Sequence, residues 1–419
     1  MKAMSFRRIG KSVFSVGLAL GLLAMGSGAQ SQPLCKVTVS PGESIQQAID
    51  AAPSDAVICL APGRWEENLV ITKSLTLRGT GKEPKEVWIV GTKEGHPVMR
   101  IESEREIEVQ LENLAVAEAK GWKCAVESPQ WICPDGLQAL GKAKVLIKDM
   151  QVSNNRDGLF VRDSAMVSLT NSTVSNNGSG LSVRDSAMVS LSHSQVSNNG
   201  DGLFVGDSAT VSLSHSQVSN AGWWGLFVGD SATVSLGHSQ VSNTRIGLAV
   251  GDSATVSLSH SQLSDNGIGV GLRGSAQVSL SHSTVSNNWF IGLAAEIGSA
   301  TVTLQNSIVS GNGRGLVVGD STTVRVEGSE ISGNEGHGIF LQDKAVAEIW
   351  GNRILNNGGY GIVLYWEGCV DADYKADFKF AGQVMGEGNT IPGKEEPDGN
   401  KQGDLCPPDY PWPPGFRKP

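Results

Sequence analysis

Five of the seven histidines in this 419-residue chain occupy equivalent places in a recurring segment: His193, His215, His238, His260 and His282. Neutral imidazole is a good ligand for copper or zinc, so a column of such residues is a candidate metal site. The same place, however, holds Asn171, Asn306 and Gly328 in other copies. That exchange fits a turn, and a row of rings does not surround an ion as zinc requires. A turn ladder is therefore expected, and no metal ligand is assigned. A second column comprises Asp163, Asp185, Asp207, Asp230, Asp252, Asp320 and Asp343. Stacked carboxylates can hold calcium, yet aspartate accepting backbone N–H bonds in a turn explains the series without an ion. Gly274 and Gly298 interrupt it. A third column, Asn154, Asn176, Asn198, Asn220, Asn243 and Asn287, is expected to form a buried amide ladder.

The aromatic residues point to binding. Phe160, Phe204, Phe227 and Phe340 each lie between two apolar positions of one short pattern, typified by Gly-Leu-Phe-Val, and should face solvent. Trp223, Trp224, Trp289 and Phe290 adjoin that pattern in copies carrying extra residues. Flat, exposed rings suit sugars or a protein partner. The expected carbohydrate-binding set is Phe160, Phe204, Trp223, Trp224, Phe227, Trp289 and Phe290. Catalytic groups are sparse. Glycoside hydrolysis needs two opposed carboxylates, whereas this face offers Glu296 with Arg162, Arg184 and Arg273. No catalytic residue is assigned.

What positions these columns is a repeat of about 22 residues, clearest in the copy Ala209–Asn220 and its Gly-Leu-Phe-Val ending. Related copies begin at Ala165, Ala187, Ala232, Ala254, Ala276, Ala300 and Thr322. Within one copy Val211 and Leu213 alternate with Thr210 and Ser212. Ser216 and Val218 then point inward, with Gln217 and Ser219 outward, and Leu226 and Val228 return inward. Alternation over so few residues is strand chemistry, with Asn, Gly and Asp-Ser as punctuation. A unit this short leaves no room for a helix. Each coil must cover its neighbour's apolar face, which makes a solenoid. The prediction is an all-β, single-stranded parallel β-helix with three strands per coil. An open end would expose backbone groups. Ser44 to Ala52 supplies a short amphipathic capping helix with Ser44 as N-cap.

The ends suggest export. Lys2, Arg7, Arg8 and Lys11 precede an apolar run from Val13 to Met25, then Ser27-Gly28-Ala29, which is a signal-peptide pattern over residues 1–29. The net charge of −9 becomes −13 without that segment, so a nucleic-acid partner is not expected. No later segment reaches membrane-spanning length. Six cysteines, Cys35, Cys59, Cys124, Cys133, Cys369 and Cys406, fall outside the regular copies. An even count in an exported chain implies disulfides, and local pairs are favoured: Cys35–Cys59, Cys124–Cys133 and Cys369–Cys406. The expected segments are a cap with irregular coils (35–141), regular repeats (142–365), and a disulfide-tied C-terminal cap with tail (366–419).

Val37-Thr38-Val39, Ser44 to Ala52, Val57 to Gly63 and Ser74 to Gly79 together resemble the opening of right-handed parallel β-helix proteins of the pectin-lyase-like superfamily. The Ser-x-Val-Ser-Asn-Asn-x-x-Gly-Leu repeats resemble those of its NosD-like and alginate-epimerase-like branches. The resemblance implies right-handed coils, and a scaffold that carries lyases, hydrolases, epimerases and non-catalytic proteins alike. Near-identical coils favour a scaffold over an active site. The expectation is a secreted or periplasmic protein that binds carbohydrate at the cell envelope without catalysis and needs no cofactor. A polysaccharide lyase or epimerase on the same face is the alternative. A periplasmic, metal-related accessory role of the NosD-like kind is third.

Overall fold

The short alternating segments form strands as predicted. In the computed structural model, which describes residues 34–127, 130–366, 368–369 and 379–416, they stack in parallel into a β-solenoid of about 14 turns. The proposed signal segment lies outside the described residues. One coil consists of a first strand Thr210–Ser214, a second strand Gln217–Ser219 and a third strand Trp224–Val228. Each pairs with its counterpart one coil on. Val211 meets Val234 and Leu213 meets Leu236, Val218 meets Val241, and Leu226 meets Leu248. The inward Val and Leu side chains are buried in one continuous core along the stack. Each fully buried side chain contributes about 1.5–3 kcal/mol of transfer free energy. Stability is then close to a sum over neighbouring coils.

All three turns of a coil contain a residue in the left-handed backbone region: Asp207 (φ 55°), His215 (φ 49°) and Asn220 (φ 54°). Asn, Asp and His are the non-glycine residues most enriched there. That explains why histidine exchanges with Asn171, Asn306 and Gly328, which all have positive φ as well. The aspartates act as turn acceptors. The Asp185 N–H donates to Asp207 Oδ2 at 3.0 Å, and the Asp207 N–H to Asp230 Oδ2 at 2.9 Å.

The predicted asparagine ladder is displaced by one residue. Asn154, Asn176, Asn198, Asn220, Asn243 and Asn287 are the exposed left-handed turn residues. Their successors Asn155, Asn177, Asn199 and Asn288 are buried, joined by Asn266, Asn312, Asn334 and Asn357. Nδ2 of Asn288 donates to Oδ1 of Asn312 at 2.8 Å, which continues to Asn334 at 3.0 Å. A single left-handed residue breaks the pleat, so the next side chain turns inward. A serine ladder runs beside it, each Oγ accepting the backbone N–H of the equivalent serine one coil earlier, as from Ser194 to Ser216 at 3.1 Å. Ser219, expected outward, is 4% exposed, because it lies in register between Ser197 and Ser242.

Both ends are closed. The helix Ile45–Ala51 begins at Ser44, whose Oγ accepts the Gln47 N–H, and it buries Ile45 and Ile49 against the first coils. Toward the C-terminus the coil pattern continues past an insertion. Gln383–Met385 pairs with Val346–Glu348, Gly403–Cys406 pairs with Tyr360–Val363, and Asn400 extends the amide ladder from Asn357. Phe380, Tyr410, Trp412 and Phe416 then pack ring against ring. Disulfides join Cys35 to Cys59, Cys124 to Cys133 and Cys369 to Cys406.

Candidate functional site

The third strands stack into a face whose outward positions vary from coil to coil while the inward ones do not. Their glycines are fixed by contact. A Cβ on Gly225 would stand 2.5 Å from the Gly247 carbonyl oxygen and 2.4 Å from a Val241 methyl. Outward, Phe204 and Phe227 stack with centroids 5.0 Å apart, and Trp224 leans on Phe227 at 5.1 Å. These three are half-buried, while Trp223 (56%), Trp289 (74%) and Phe290 (53%) are exposed. Ser182 separates Phe160 from Phe204 in the ladder, so Phe160 stands apart from the stack. Phe340 is not on the open face. It is 7% exposed, packed with Val317, Val363 and the Cys369–Cys406 pair and edge-on to Tyr365 at 5.7 Å.

Beyond Phe227 the ring positions are taken by Ala249, Gly271 and Ala294. Loss of the rings leaves a groove of about 510 Å³, walled by Trp224, Phe227, Arg273, Glu296 and Gln342. Glu296 is there because of a bulge. Ala295 pairs with Leu272 and Ile297 with Arg273, so Glu296 is the extra residue, and bulges re-aim side chains in this way. Gln342 Nε2 donates to Glu296 Oε2 at 3.5 Å. Burial raises the Glu296 pKa above the ordinary glutamate value, with the Arg314 charge opposing.

A second cluster lies further toward the N-terminus on the same face. Asp135 is fully buried. Its Oδ2 accepts from Gln138 Nε2 at 2.8 Å, its Oδ1 accepts the Asp157 N–H at 3.3 Å, and Arg156 Nη1 stands 3.6 Å away. Burial first, and then the neighbouring Asp157 charge, push the Asp135 pKa up to about 7. Asp157 and Asp201 are also raised by burial. Among the described residues Asp201 Oδ1 finds no hydrogen-bond partner. A carboxyl sealed from solvent does not meet a ligand, and Asp157 beside it is also buried.

The sequence matches the family described as "Right handed beta helix region" over residues 119–263 and 224–373, together more than half of the chain. The chain belongs to that family. No curated protein matches it by sequence. Among solved structures, this β-helix is similar to the A-module of the Azotobacter vinelandii mannuronan C-5 epimerase AlgE6. Identity is 16% and the TM-score 0.53, over 83% of this chain and 93% of that one. The AlgE4 A-module is similar at 16% identity and TM-score 0.51, over 83% and 95%. The catalytic unit of the GH87 α-1,3-glucanase of Streptomyces thermodiastaticus follows at 15% identity and TM-score 0.51. There the chain covers 82% of itself but only 65% of the glucanase unit. At these identities the likeness shows the fold alone, a right-handed parallel β-helix.

The β-helix brings Phe204, Trp224 and Phe227 together, with Trp223 beside them and Trp289 and Phe290 further along. The histidines stack on a different edge, at 4.9–5.1 Å between centroids. Each of His193, His215, His260 and His282 engages the preceding serine Oγ through Nδ1 at 2.9–3.0 Å. Two Zn–N bonds of about 2.1 Å reach across at most about 4.2 Å, so rings held parallel at this spacing do not share an ion. Among the described residues no group of histidine, cysteine and acidic side chains has metal-binding geometry. The aspartate cluster escaped the sequence reading, although a signal exists. Asp-Gly-Leu occurs at Asp135, at Asp157 and at Asp201; Asp157 and Asp201 each open a third strand, and Asp135 stands two residues before one.

Proposed function

We propose that this β-helix is a secreted, non-catalytic protein that binds polysaccharide at the cell envelope along the outward face of its third strands. The observation carrying this reading is the half-exposed Phe204–Phe227–Trp224 cluster at the mouth of the 510 Å³ groove. Aromatic surface left open beside a mainly apolar hollow with a few polar groups, here Arg273, Glu296, Gln342 and Asp343, is a common arrangement for holding a ligand ring. Three disulfides accord with an extracellular or periplasmic address. Among the described residues no helix is long and apolar enough to cross a membrane. The test is retention on a panel of immobilised glycans. Trp224→Ala and Phe227→Ala should each weaken retention about five- to tenfold, the scale of one lost aromatic contact. Unchanged retention in both variants rejects the face.

One observation favours a second reading, a lyase or epimerase. Glu296 sits in the groove wall with Arg273, its pKa raised by burial, and a carboxylate made more basic beside a cation suits proton abstraction next to a carboxylate. Incubation with acidic polysaccharides separates the two readings. Unsaturated ends or inverted uronate residues, lost in Glu296→Gln, select the enzyme.

A further inference from the structure

Four aromatic rings on this side of the β-helix each carry a guanidinium. Arg184 lies over Phe204 at 4.5 Å, Arg245 over Trp223 at 4.5 Å, Arg273 over Phe227 at 5.8 Å and Arg314 over Phe340 at 5.9 Å. Between residues 165 and 344 the only other cationic side chains are Arg325 and Lys344. Positive charge between residues 165 and 344 is thus concentrated on the third-strand side, on a chain whose net charge is −9. All four arginines are exposed, and among the described residues none of them is ion-paired. Arg162 behaves differently. It occupies the place equivalent to Arg184 one coil earlier, but Asp163 and Asp185 neutralise it at 3.3 and 3.2 Å.

We infer that the ligand of this face is an acidic polysaccharide lying along the stacking axis, its carboxylate or sulfate groups held by Arg184, Arg245, Arg273 and Arg314. This rests on the carbohydrate reading above and names the class of sugar. A neutral chain needs bare ring faces to stack on, and here those faces are partly occupied by guanidinium groups. A guanidinium lying on a ring keeps its N–H edge free, and that edge matches an oxyanion in two-point fashion. Arg184 follows the strand Ser179–Val183, and Arg314 opens the strand Arg314–Val318. The six stacking steps between them make about 29 Å at the usual spacing of strands. Arg184 and Arg273 stand at the C-terminal ends of their strands, Arg245 and Arg314 at the N-terminal starts of theirs. A chain running between the two rows meets a cation from alternate sides, and several weak contacts on one polymer add up. Glu296 and Asp343 are the acids in the groove wall, and burial favours the neutral, non-repelling form of Glu296.

The test is affinity electrophoresis of the full chain against alginate, dextran sulfate, unmodified dextran and single-stranded DNA at low salt. Alginate or dextran sulfate should be retained about tenfold more strongly than dextran, and added salt should weaken that retention. The double variant Arg245→Gln/Arg273→Gln should lose about tenfold toward the acidic glycan, with an unaltered far-ultraviolet circular dichroism spectrum. Arg162→Gln should lose nothing. Equal retention of dextran and dextran sulfate, or unchanged binding by the double variant, overturns the acidic class. If Trp224→Ala still lowers retention in that case, the carbohydrate reading survives. Retention of no glycan overturns both. Retention of single-stranded DNA equal to that of alginate overturns the assignment to sugar.

Discussion

Asp135→Asn should gain stability relative to the parent as pH rises from about 4 to about 8. The folded chain holds the Asp135 proton up to about pH 7, against an ordinary aspartate value of 3.8, chiefly because the carboxyl is buried. The folded state therefore binds more protons than the unfolded chain across that interval. Stability falls as pH rises from about 4 to about 7 and stays at the lower level above it. A shift of roughly three units corresponds to about 4 kcal/mol at 1.36 kcal/mol per unit, an upper bound because Asp157 and Arg156 share the titration. Asparagine has the same shape and no charge to desolvate; its one oxygen keeps only one of the bonds accepted from Gln138 and the Asp157 N–H, a loss that is the same at every pH and so does not enter the pH dependence. For a unit of about 385 residues, with an unfolding entropy near 2 cal/mol/K per residue, 4 kcal/mol is about 5 °C in Tm. The assay is thermal unfolding of both proteins from pH 4 to pH 8, read as the difference between them so that other carboxyls cancel. The gap should open with rising pH in favour of Asp135→Asn. If the variant is instead less stable at pH 8 than at pH 5 relative to the parent, Asp135 is ionised and paired with Arg156 in the folded state. Burial is then not the dominant influence, and the reasoning fails.

Two further predictions address the ladders. Asn288→Ala removes a buried amide bonded to Asn312 and leaves the Asn266 amide without its acceptor, so chemical denaturation should show a loss of about 2–4 kcal/mol. Asn287→Gly, one residue earlier at φ 55°, should change stability by less than about 0.5 kcal/mol, since glycine adopts that backbone freely. In the histidine column, His238→Asn should be neutral, because Asn171 and Asn306 adopt the same left-handed conformation. His238→Ile should cost about 1–2 kcal/mol in the same denaturation assay, because a β-branched residue is disfavoured there.

Legibility in this sequence follows the repeat. Where copies agree, a column of identical residue types reports one backbone position many times over. The inward Val and Leu positions and the parallel stacking could therefore be read directly, while the capping helix Ile45–Ala51, outside the copies, was legible from its own amphipathic spacing and Ser44 cap. What periodicity does not carry is the phase of the chain through a turn. The alternation Val218 in, Ser219 out extrapolates to Asn220 in, but one left-handed residue shifts the count and the buried position moves to the residue after it. The same limit hid the C-terminal coil, since Asn357 meets Asn400 across 43 residues instead of 22.

The functional features lie where the repeat is broken, and each break has its own physical cause. Glu296 enters the groove because a bulge inserts one residue between Ala295 and Ile297. The groove exists because Ala249, Gly271 and Ala294 stand where Phe204 and Phe227 have rings. Phe340 was misread as exposed because the chain that covers it, through Tyr365 and the Cys369–Cys406 bond, lies outside the periodic segment. A stack of identical coils presents identical surfaces, so it cannot by itself choose where along the rod a ligand rests. Position must come from substitutions in individual coils. In this chain the unpaired arginines, the bulged glutamate and the missing rings all occur on one of the three faces, between Arg184 and Arg314. Independent drift of surface residues would scatter such changes over all three faces. Their concentration on the third strands is the structural reason to look for the ligand there and not along the histidine edge, where the same turn geometry is repeated from coil to coil without a break.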